Sequence, residues 1–304
     1  MEGTEDPLRA RDRRAPWSEF RAALEEEQFR PTKGLGQNFL IDPNTVRAIA
    51  ADAGLGTGAR VLEVGAGCGF LTLALAELGI LVTAVEIDPR LARVARRFLA
   101  GVPGVRLIEA DVLEGKRRLS PVVAREITAL GEWHLVSNLP YSIAGPVLAL
   151  VARFEPRPRT LSVLVQEEVA ERITARPGDS EWGPLTARLA LLYRTRLGRK
   201  VGAQLFWPRP RVSSRVVHLE AREDVAPERD ELVPYDELVD LLFQQRRKQL
   251  ASILTGAVGG REPAEAMIGE AGLDPRARPQ DLAPEDLLAL SRSSLFRGRF
   301  RPLH

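Results

Sequence analysis

Four consecutive residues near the middle of the chain could hold a flat ring that carries an amine. The sequence Asn138-Leu-Pro-Tyr141 follows a strand-like run over residues 133–137. The asparagine amide can accept and donate hydrogen bonds, the proline stiffens the loop, and the tyrosine offers an aromatic face for stacking. These properties suit methylation of an exocyclic amine on a nucleobase. The same four residues also fit a plain strand end followed by a turn.

A glycine-rich turn earlier in the chain could hold a cofactor. The run Val61-Leu-Glu-Val-Gly65-Ala-Gly67-Cys-Gly69 leads from an apolar strand through a turn into a helix. Glycines let backbone approach a ligand where a side chain would collide. The spacing Gly-x-Gly-x-Gly differs from the Gly-x-Gly-x-x-Gly of dinucleotide-binding proteins. It favours S-adenosylmethionine, whose amino-acid tail needs close backbone but brings no phosphate, and it leaves a nicotinamide-binding fold open.

Carboxylates end the next two strands. Glu86 ends the second strand, about twenty residues after the glycine turn, where a carboxylate can accept both ribose hydroxyls. Asp111 ends the third strand, where it can accept from the adenine amine of the cofactor. A carboxylate at such a place is often only a helix cap. Because ligands of open α/β sheets bind beyond the carboxyl ends of the strands, the pair predicts a methyl-donor pocket.

Alternating strands and helices are expected to position these residues. The alternation indicates a doubly wound parallel sheet, a Rossmann-like α/β fold. Strands are predicted over residues 61–64, 81–85, 105–109, 133–137, 161–165, 201–206 and 212–219. Helices between them are predicted over residues 44–53, 71–78, 89–99, 167–174 and 184–192.

The pattern changes after residue 222. No further strand is predicted there, whereas helices are predicted over residues 235–255, 263–271 and 284–290. We therefore divide the chain into three parts. They are a polar N-terminal extension over 1–30 with a short helix at 17–29, a Rossmann-like methyltransferase domain over 31–222, and a small helical domain over 223–304.

Composition argues against several classes of protein. The chain has 304 residues, of which 44% are hydrophobic and 28% charged, as in ordinary globular proteins of one or two domains. The single cysteine, Cys68, and three scattered histidines argue against a disulfide, a zinc site and a metal-dependent mechanism. No apolar run approaches the roughly 18 residues that cross a membrane. The N-terminus has neither a secretory nor a transit pattern, so we expect a cytoplasmic protein.

Positive charge is concentrated in two stretches, although the net charge is only +2. No acidic residue occurs over residues 182–219 or 292–304. Such stretches fit contacts with nucleic-acid phosphates, and they fit an arginine-rich solvated surface equally well. Their basic residues are Arg188, Arg194, Arg196, Arg199, Lys200, Arg209, Arg211 and Arg215 in the first stretch, and Arg292, Arg297, Arg299 and Arg301 in the second.

Taken in order, these motifs resemble those of the ribosomal RNA adenine N6-dimethyltransferases. The resemblance covers about residues 31–290 and points to the bacterial small-subunit branch, which methylates two adjacent adenosines near the end of the 16S RNA. Besides the motifs above, it is carried by Gly34-Leu-Gly-Gln-Asn38-Phe-Leu40-Ile-Asp-Pro43, Ala84-Val-Glu86-Ile-Asp88, Val165-Gln-Glu-Glu-Val-Ala-Glu-Arg172, Phe206-Trp-Pro-Arg-Pro-Arg-Val-Ser213 and Phe243-Gln-Gln-Arg-Arg-Lys-Gln-Leu250.

The resemblance implies which residues hold the cofactor. Asn38 and Leu40 would flank the methionine part of S-adenosylmethionine, and the glycine turn at Gly65 and Gly67 would contact it with backbone. Glu86 would bind the ribose. The last member of the implied set is Asp111, at the adenine.

The resemblance also implies a catalytic set. Asn138 would sit where cofactor and target base meet, and its side-chain oxygen and the carbonyl of Leu139 would accept the two amine hydrogens. The nitrogen lone pair would then face the methyl carbon, a positioning effect that can lower a barrier by several kcal/mol. Pro140 stiffens the loop, while Tyr141 and Phe206 stack on either side of the flipped base.

The substrate is expected to be the small ribosomal subunit and its 16S rRNA, bound by a protein that we expect to be monomeric. Contacts to RNA are assigned to Arg209, Arg211, Arg246, Arg247 and Lys248. Two alternatives stay open. One is methylation of large-subunit RNA, as in the resistance branch, or of DNA. The other is an assembly factor in which methylation is secondary.

The chain departs from the family pattern in two places. The extension before Gly34 is longer than the small-subunit branch leads us to expect, and Gly65-Ala-Gly67-Cys replaces the more usual Gly-Pro-Gly turn. The second departure should cost rigidity rather than function. Leucine, rather than isoleucine, after Asn138 favours the small-subunit branch over the resistance branch.

Overall fold

A computed structural model describes residues 15–115, 118–225 and 227–297, without the side chain of Lys33. The first 14 residues of the predicted extension, and Arg299 and Arg301, lie outside these ranges. The chain forms two compact units. The first comprises Met1–Ala144 with Val201–Ser213, and the second Gly145–Lys200 with Ser214–His304. The boundary that we drew at residue 222, where strands give way to helices, stays a prediction.

The strands are numbered in chain order. They are β1 (Phe39–Leu40), β2 (Arg60–Val64), β3 (Leu81–Glu86), β4 (Val105–Glu109), β5 (Leu113–Glu114), β6 (Arg118–Leu119), β7 (His134–Asn138), β8 (Thr160–Gln166), β9 (Tyr193–Val201), β10 (Phe206–Trp207) and β11 (Ser214–Ala221). Strands β8, β9 and β11 belong to the second unit and the others to the first.

The helices follow the same numbering. They are α1 (Trp17–Glu26), α2 (Pro43–Asp52), α3 (Phe70–Glu77), α4 (Pro89–Leu99), α5 (Pro121–Leu130), α6 (Ala144–Val151), α7 (Glu167–Thr174), α8 (Pro184–Leu192), α9 (Arg229–Gln244), α10 (Leu250–Val258), α11 (Arg261–Glu270), α12 (Pro284–Arg292) and α13 (Ser294–Arg297). Beyond β11 the described elements are helices, as predicted.

Local sequence signals mark the starts of helices α2, α4 and α5. Each has a proline in its first turn, whose fixed φ suits a helix start. Each is preceded by a residue whose side chain accepts a hydrogen bond from a first-turn amide: Asp42, Asp88 and Ser120. Helices α2 and α4 therefore begin within a residue of the predicted positions, whereas α5 and α6 were not predicted.

The first unit contains a parallel sheet with strand order β4-β3-β2-β7. Val61 lies beside Val82 of β3 on one side and beside His134 of β7 on the other. The chain winds from β2 through β3 to β4 in one direction and returns to the other side of β2 to form β7. The switch point of the topology therefore lies between the carboxyl ends of β2 and β7, where ligands of such sheets bind.

The second unit contains strands β8, β11 and β9, in that order. Strands β8 and β11 run antiparallel, with Ser162 opposite His218. Strand β9 was not predicted, because its residues 194–200 are mostly basic and polar and mask the apolar alternation of a strand. The strand predicted over 201–206 was wrong. Val201 ends β9, a short 3-10 turn follows, and Phe206 begins β10.

The long helix predicted over 235–255 is broken in the second unit. Helix α9 ends at Gln244, and α10 begins at Leu250. The amide of Leu250 donates to the carbonyl of Ala277, and that of Ala251 donates to Pro275. These tertiary hydrogen bonds satisfy amides at the start of α10 that a continuous helix would have bonded internally. The basic residues 246–248 therefore lie in a turn rather than on a helix face.

Candidate active site

The candidate site begins where β2 and β7 end side by side. Ser137 is buried in β7, and its Oγ donates to the carbonyl of Val64, the last residue of β2, at 2.6 Å. Beyond this bond β2 enters the glycine turn and β7 enters the Asn138 loop. A side-chain bond therefore fixes both loops at the point where the backbone ladder ends.

The glycine turn and the Asn138 loop approach too closely for any larger residue. Gly65 has φ +75°, and a Cβ there would lie 2.8 Å from Cγ of Pro140. Gly36 has φ +64°, and its Cβ would lie 2.9 Å from the amide nitrogen of Ser142. Both positions need the left-handed region that glycine adopts without strain. Here the glycines serve contact between loops of the protein, a role that we had not predicted.

The side chain of Asn138 is oriented by the loop that contains Gly36 and Asn38. Its Nδ2 donates to the backbone carbonyl of Asn38 at 3.1 Å, while Nδ2 of Asn38 donates to Gly36. The donor end of the Asn138 amide is thus used within the protein, and its oxygen is left as an acceptor. Leu139 is buried, whereas Pro140 and Tyr141 are half-buried.

Glu86, at the end of β3, is held by backbone amides. Its Oε2 accepts from the amide of Gly67 at 2.7 Å, and its Oε1 accepts from the amide of Asp88 at 2.9 Å. The residue is 4% exposed, and burial raises the pKa of its carboxyl against these two hydrogen bonds. Each oxygen can still accept a second hydrogen bond. The arrangement can receive a diol such as the ribose of a nucleoside.

Asp111 is exposed, and it caps a local turn. Its Oδ1 accepts from the amide of Leu113 at 2.9 Å, and because Leu113 begins β5, Asp111 is not a helix cap. The other carboxylate oxygen has no such bond among the described residues, so it can accept from an amine.

Gln37 was missed by the sequence analysis. Its Oε1 accepts from the amide of Thr32 at 2.8 Å, and its buried amide group interacts with the carboxylate of Asp88, where it helps to lower the pKa of that carboxyl. Gln37 therefore helps to fix the loop that contains Asn38 beside the turn after β3. Its place beside Asn38 in the N-terminal motif was the signal that could have identified it.

Strand β1 pairs with β10 and joins two predicted parts of the site. Leu40, assigned to the cofactor, lies opposite Phe206, assigned to the target base. Phe206 is only 3% exposed, so its ring packs inside the protein in this structure. Phe39 lies opposite Trp207, with the two rings 6.0 Å apart and nearly parallel.

The residues assigned to RNA are all exposed but belong to different units. Arg209 and Arg211 lie in the first unit, on the segment between β10 and β11. Arg246, Arg247 and Lys248 lie in the second unit, in the turn between α9 and α10. Arg246 donates to the carbonyl of Ser180 at 3.3 Å, which leaves part of its guanidinium available.

Two further groups next to the glycine turn are buried and have plain roles. Cys68 is fully buried, and burial raises the pKa of its thiol, so it fills space rather than acting as a nucleophile. Glu63 is 2% exposed and accepts from Oγ1 of Thr72 at 2.6 Å. Burial raises the pKa of Glu63 to about 8, so it carries a proton at neutral pH.

A parallel sheet with a switch-point cleft, a glycine turn and a carboxylate at the end of β3 defines a Rossmann-like nucleotide-binding fold, and the comparisons identify its class as methyltransferase. Two solved structures agree. The 23S rRNA methyltransferase ErmE is 31% identical and has a TM-score of 0.62, with 83% of this chain and 98% of that chain covered. A dimethyladenosine transferase from Plasmodium falciparum is 23% identical with a TM-score of 0.65, covers 82% and 94%, and supports the fold alone.

The family model for ribosomal RNA adenine dimethylase matches residues 28–294. The chain therefore belongs to this family and is an rRNA adenine dimethyltransferase. Curated relatives named ribosomal RNA small subunit methyltransferase A agree. One from Nocardia farcinica is 41% identical over 87% of this chain and 90% of its own length. One from Rubrobacter xylanophilus is 43% identical over 86% and 95%.

These comparisons confirm the predicted family, the methyltransferase activity and the Rossmann-like fold with helices at its C-terminal end. Across the described residues, no helix is both long and apolar enough to cross a membrane. In the same ranges no group of three or more His, Cys, Asp and Glu side chains could hold a metal ion.

Proposed function

We propose that the protein transfers methyl groups from S-adenosylmethionine to N6 of two adjacent adenosines near the 3′ end of 16S rRNA, within the small ribosomal subunit. The names of the curated relatives support the small subunit as the substrate. Since that subunit is assembled in the bacterial cytoplasm, the proposed place of action is the cytoplasm, and the proposed wider role is in subunit biogenesis. The protein is proposed to act as a monomer. The orientation of the Asn138 amide is the observation that carries the proposed chemistry.

The chain offers a set of groups that fits S-adenosylmethionine. Glu86 presents a buried carboxylate with unused lone pairs for the ribose hydroxyls, and Asp111 has an oxygen for the adenine amine. The remaining contacts would come from Asn38, Leu40 and the backbone of Gly65 and Gly67. When bound, the cofactor supplies an electrophilic methyl group on a sulfonium.

Asn138 prepares the adenine amine for attack. Because its Nδ2 is held by the carbonyl of Asn38, the amide cannot flip without losing that bond, and its oxygen is the end offered to substrate. That oxygen and the carbonyl of Leu139 accept hydrogen bonds from the two N6–H groups, which draws the nitrogen toward a tetrahedral shape. The lone pair then points at the methyl carbon. Positioning of this kind is worth several kcal/mol and needs no strong base.

The target base is held by stacking after it leaves its helix. Tyr141 is half-buried and can offer a ring face, worth about 1–3 kcal/mol in comparable contacts. Phe206 is 3% exposed, so its ring becomes available to the base only if its side chain changes conformation when the base enters. Pro140, which lies against Gly65, stiffens the loop that carries Tyr141.

Exposed cations supply the sequence-independent part of RNA binding. Arg209 and Arg211 would contact phosphates from the first unit. Arg246, Arg247 and Lys248 would do so from the turn between α9 and α10 in the second unit. Each phosphate contact that is lost should weaken binding and make it less sensitive to salt.

The central test is the substitution Asn138→Ala. Labelled methyl transfer is measured on small subunits that lack the modification, with large subunits and DNA in parallel. Loss of the oriented acceptor should lower the rate by about 10²–10³-fold, as for other single groups that act in the transition state. Binding of subunits should stay nearly unchanged. The matched control Asn44→Ala removes an exposed asparagine of α2 and should leave the rate unaltered.

Each result of this experiment has a clear meaning. Dimethyladenosine at two adjacent positions of 16S rRNA supports the proposal in full. Label in large-subunit RNA or DNA would move the substrate to the first alternative. Tight subunit binding without label in the unsubstituted protein would make the chain chiefly an assembly factor. Loss of subunit binding in Asn138→Ala would show that the loop is structural.

A further inference from the structure

Helix α1 belongs to the N-terminal extension for which the sequence offered no role. One face of α1 is buried in the first unit through Phe20, Ala23 and Leu24. Phe20 stacks on Phe98 of α4, with ring centroids 3.8 Å apart. Two exposed ion pairs also join the α1 region to α4, but such pairs contribute little. Burial of aromatic and aliphatic side chains therefore holds α1 in place.

A first chain of contacts leads from α1 to the glycine turn. The ring of Trp17 lies 5.5 Å from the ring of Trp207, which in turn stacks on Phe39. The ring of Phe39 lies 3.0 Å from the place where a Cβ of Gly67 would be. The amide of Gly67 donates to Oε2 of Glu86. Trp17 is thus connected by packed rings to one of the two hydrogen bonds that hold Glu86.

A second chain of contacts leads to the other hydrogen bond. Phe29, which follows α1, packs edge-on against Phe39, and the guanidinium of Arg90 lies 5.2 Å from the centre of the Phe29 ring. Arg90 binds both carboxylate oxygens of Asp88, at 3.1 and 2.9 Å. The amide of Asp88 donates to Oε1 of Glu86. Both hydrogen bonds to Glu86 are therefore connected to the α1 region, one through Phe39 and the other through Arg90.

We propose that α1 and the turn to Phe29 are a positioning element for the cofactor site. Trp17 and Phe29 hold Gly67 and Asp88 in place, and through them they hold Glu86 ready for the ribose of S-adenosylmethionine. The inference rests on the proposed function for the identity of this ligand. In this proposal, α1 and the turn to Phe29 contribute to cofactor affinity as well as shielding an apolar surface from solvent.

The test compares cofactor affinity with stability in the full-length protein. In Trp17→Ala, the Kd of S-adenosylmethionine, measured by titration calorimetry, should rise about tenfold. The KM for S-adenosylmethionine should rise in parallel, whereas kcat at saturating cofactor should stay within about twofold, because binding is weakened equally in the ground state and in the transition state. Trp17→Phe keeps a ring against Trp207 and should recover most of the affinity.

A control separates positioning from loss of stability. Leu254→Ala opens a cavity in α10 of the second unit and should lower the melting temperature without changing the Kd. If Trp17→Ala lowers the melting temperature but leaves the Kd unchanged, α1 is cover and the proposal is wrong. If the unsubstituted protein binds no S-adenosylmethionine, the proposed function fails instead.

Discussion

The loops of the candidate site and the helix junction of the second unit are held by different forces. In the site, close contact is made by uncharged groups: glycine turns, Pro140, and the rings around Phe39. In the second unit, Asp236 of α9 binds Arg153, just after α6, and Arg188 of α8. Arg188 also binds Asp240, at 2.7 Å.

Two acidic side chains, Glu63 and Asp236, also differ in their partners. Glu63, behind the glycine turn, accepts from the hydroxyl of Thr72 and stays protonated at neutral pH. Asp236 is instead paired with two arginines whose side chains are largely buried. At a helix junction, such a network fixes the register of three helices at once.

The largest effect on stability is expected from Asp236→Ala. The substitution removes the carboxylate that the largely buried Arg153 and Arg188 share, although Arg188 keeps its pair with Asp240. Breaking a fully buried pair costs about 3–5 kcal/mol, and the partial exposure of Asp236 places this case near 3 kcal/mol. Urea unfolding measures the loss. The matched control Glu265→Ala breaks an exposed pair with Arg261 and should change stability far less. An equal loss of unfolding free energy in the two variants would show that the ion pairs of Asp236 do not hold the helix junction of the second unit.

A smaller effect is expected from Gly65→Ala in the site. The new Cβ would lie 2.8 Å from Pro140, and φ at this position is +75°. Gly58→Ala is a matched control, because its φ is +84° and nothing lies within 4 Å of its Cβ. The control should cost about 1 kcal/mol for backbone strain alone. Gly65→Ala should cost about 1–2 kcal/mol more and should weaken cofactor binding, as measured by calorimetry. Identical affinity in both variants would show that the contact with Pro140 does not shape the site.

The third effect is a pH dependence due to Glu63. Its pKa is about 8 in the folded protein, whereas its ordinary value, expected in the unfolded chain, is 4.5. Between these two pH values the unfolded chain has lost a proton that the folded chain keeps. Stability of the unsubstituted protein should therefore fall as pH rises through this range, by at most ~1.4 kcal/mol per pH unit.

Glu63→Gln keeps an oxygen for Thr72 and removes the titration. Its stability relative to the unsubstituted protein should increase between pH 6 and pH 8, as measured by urea unfolding at both values. An unchanged difference would mean that Glu63 is ionised in the folded protein.

Much of the first unit was predictable because its signals are local. Proline after Asp42 and Asp88 marks helix starts, and apolar runs mark β2, β3 and β7 within about a residue. The residues of the cofactor motifs follow these elements directly. Prediction failed where long-range pairing overrides local pattern. Strand β9 is stabilised by its place beside β11, although its own residues are basic.

The sequence by itself determined the order of the motifs, the family and the residues assigned to cofactor and base. Tertiary structure decided how they are held. Gly36 and Gly65 proved to be contact points between loops, and the helix predicted to run past Gln244 ends there because distant carbonyls bond the amides of α10. Close approach and long-range hydrogen bonding depend on residues far apart in the chain, so no local pattern could have shown them.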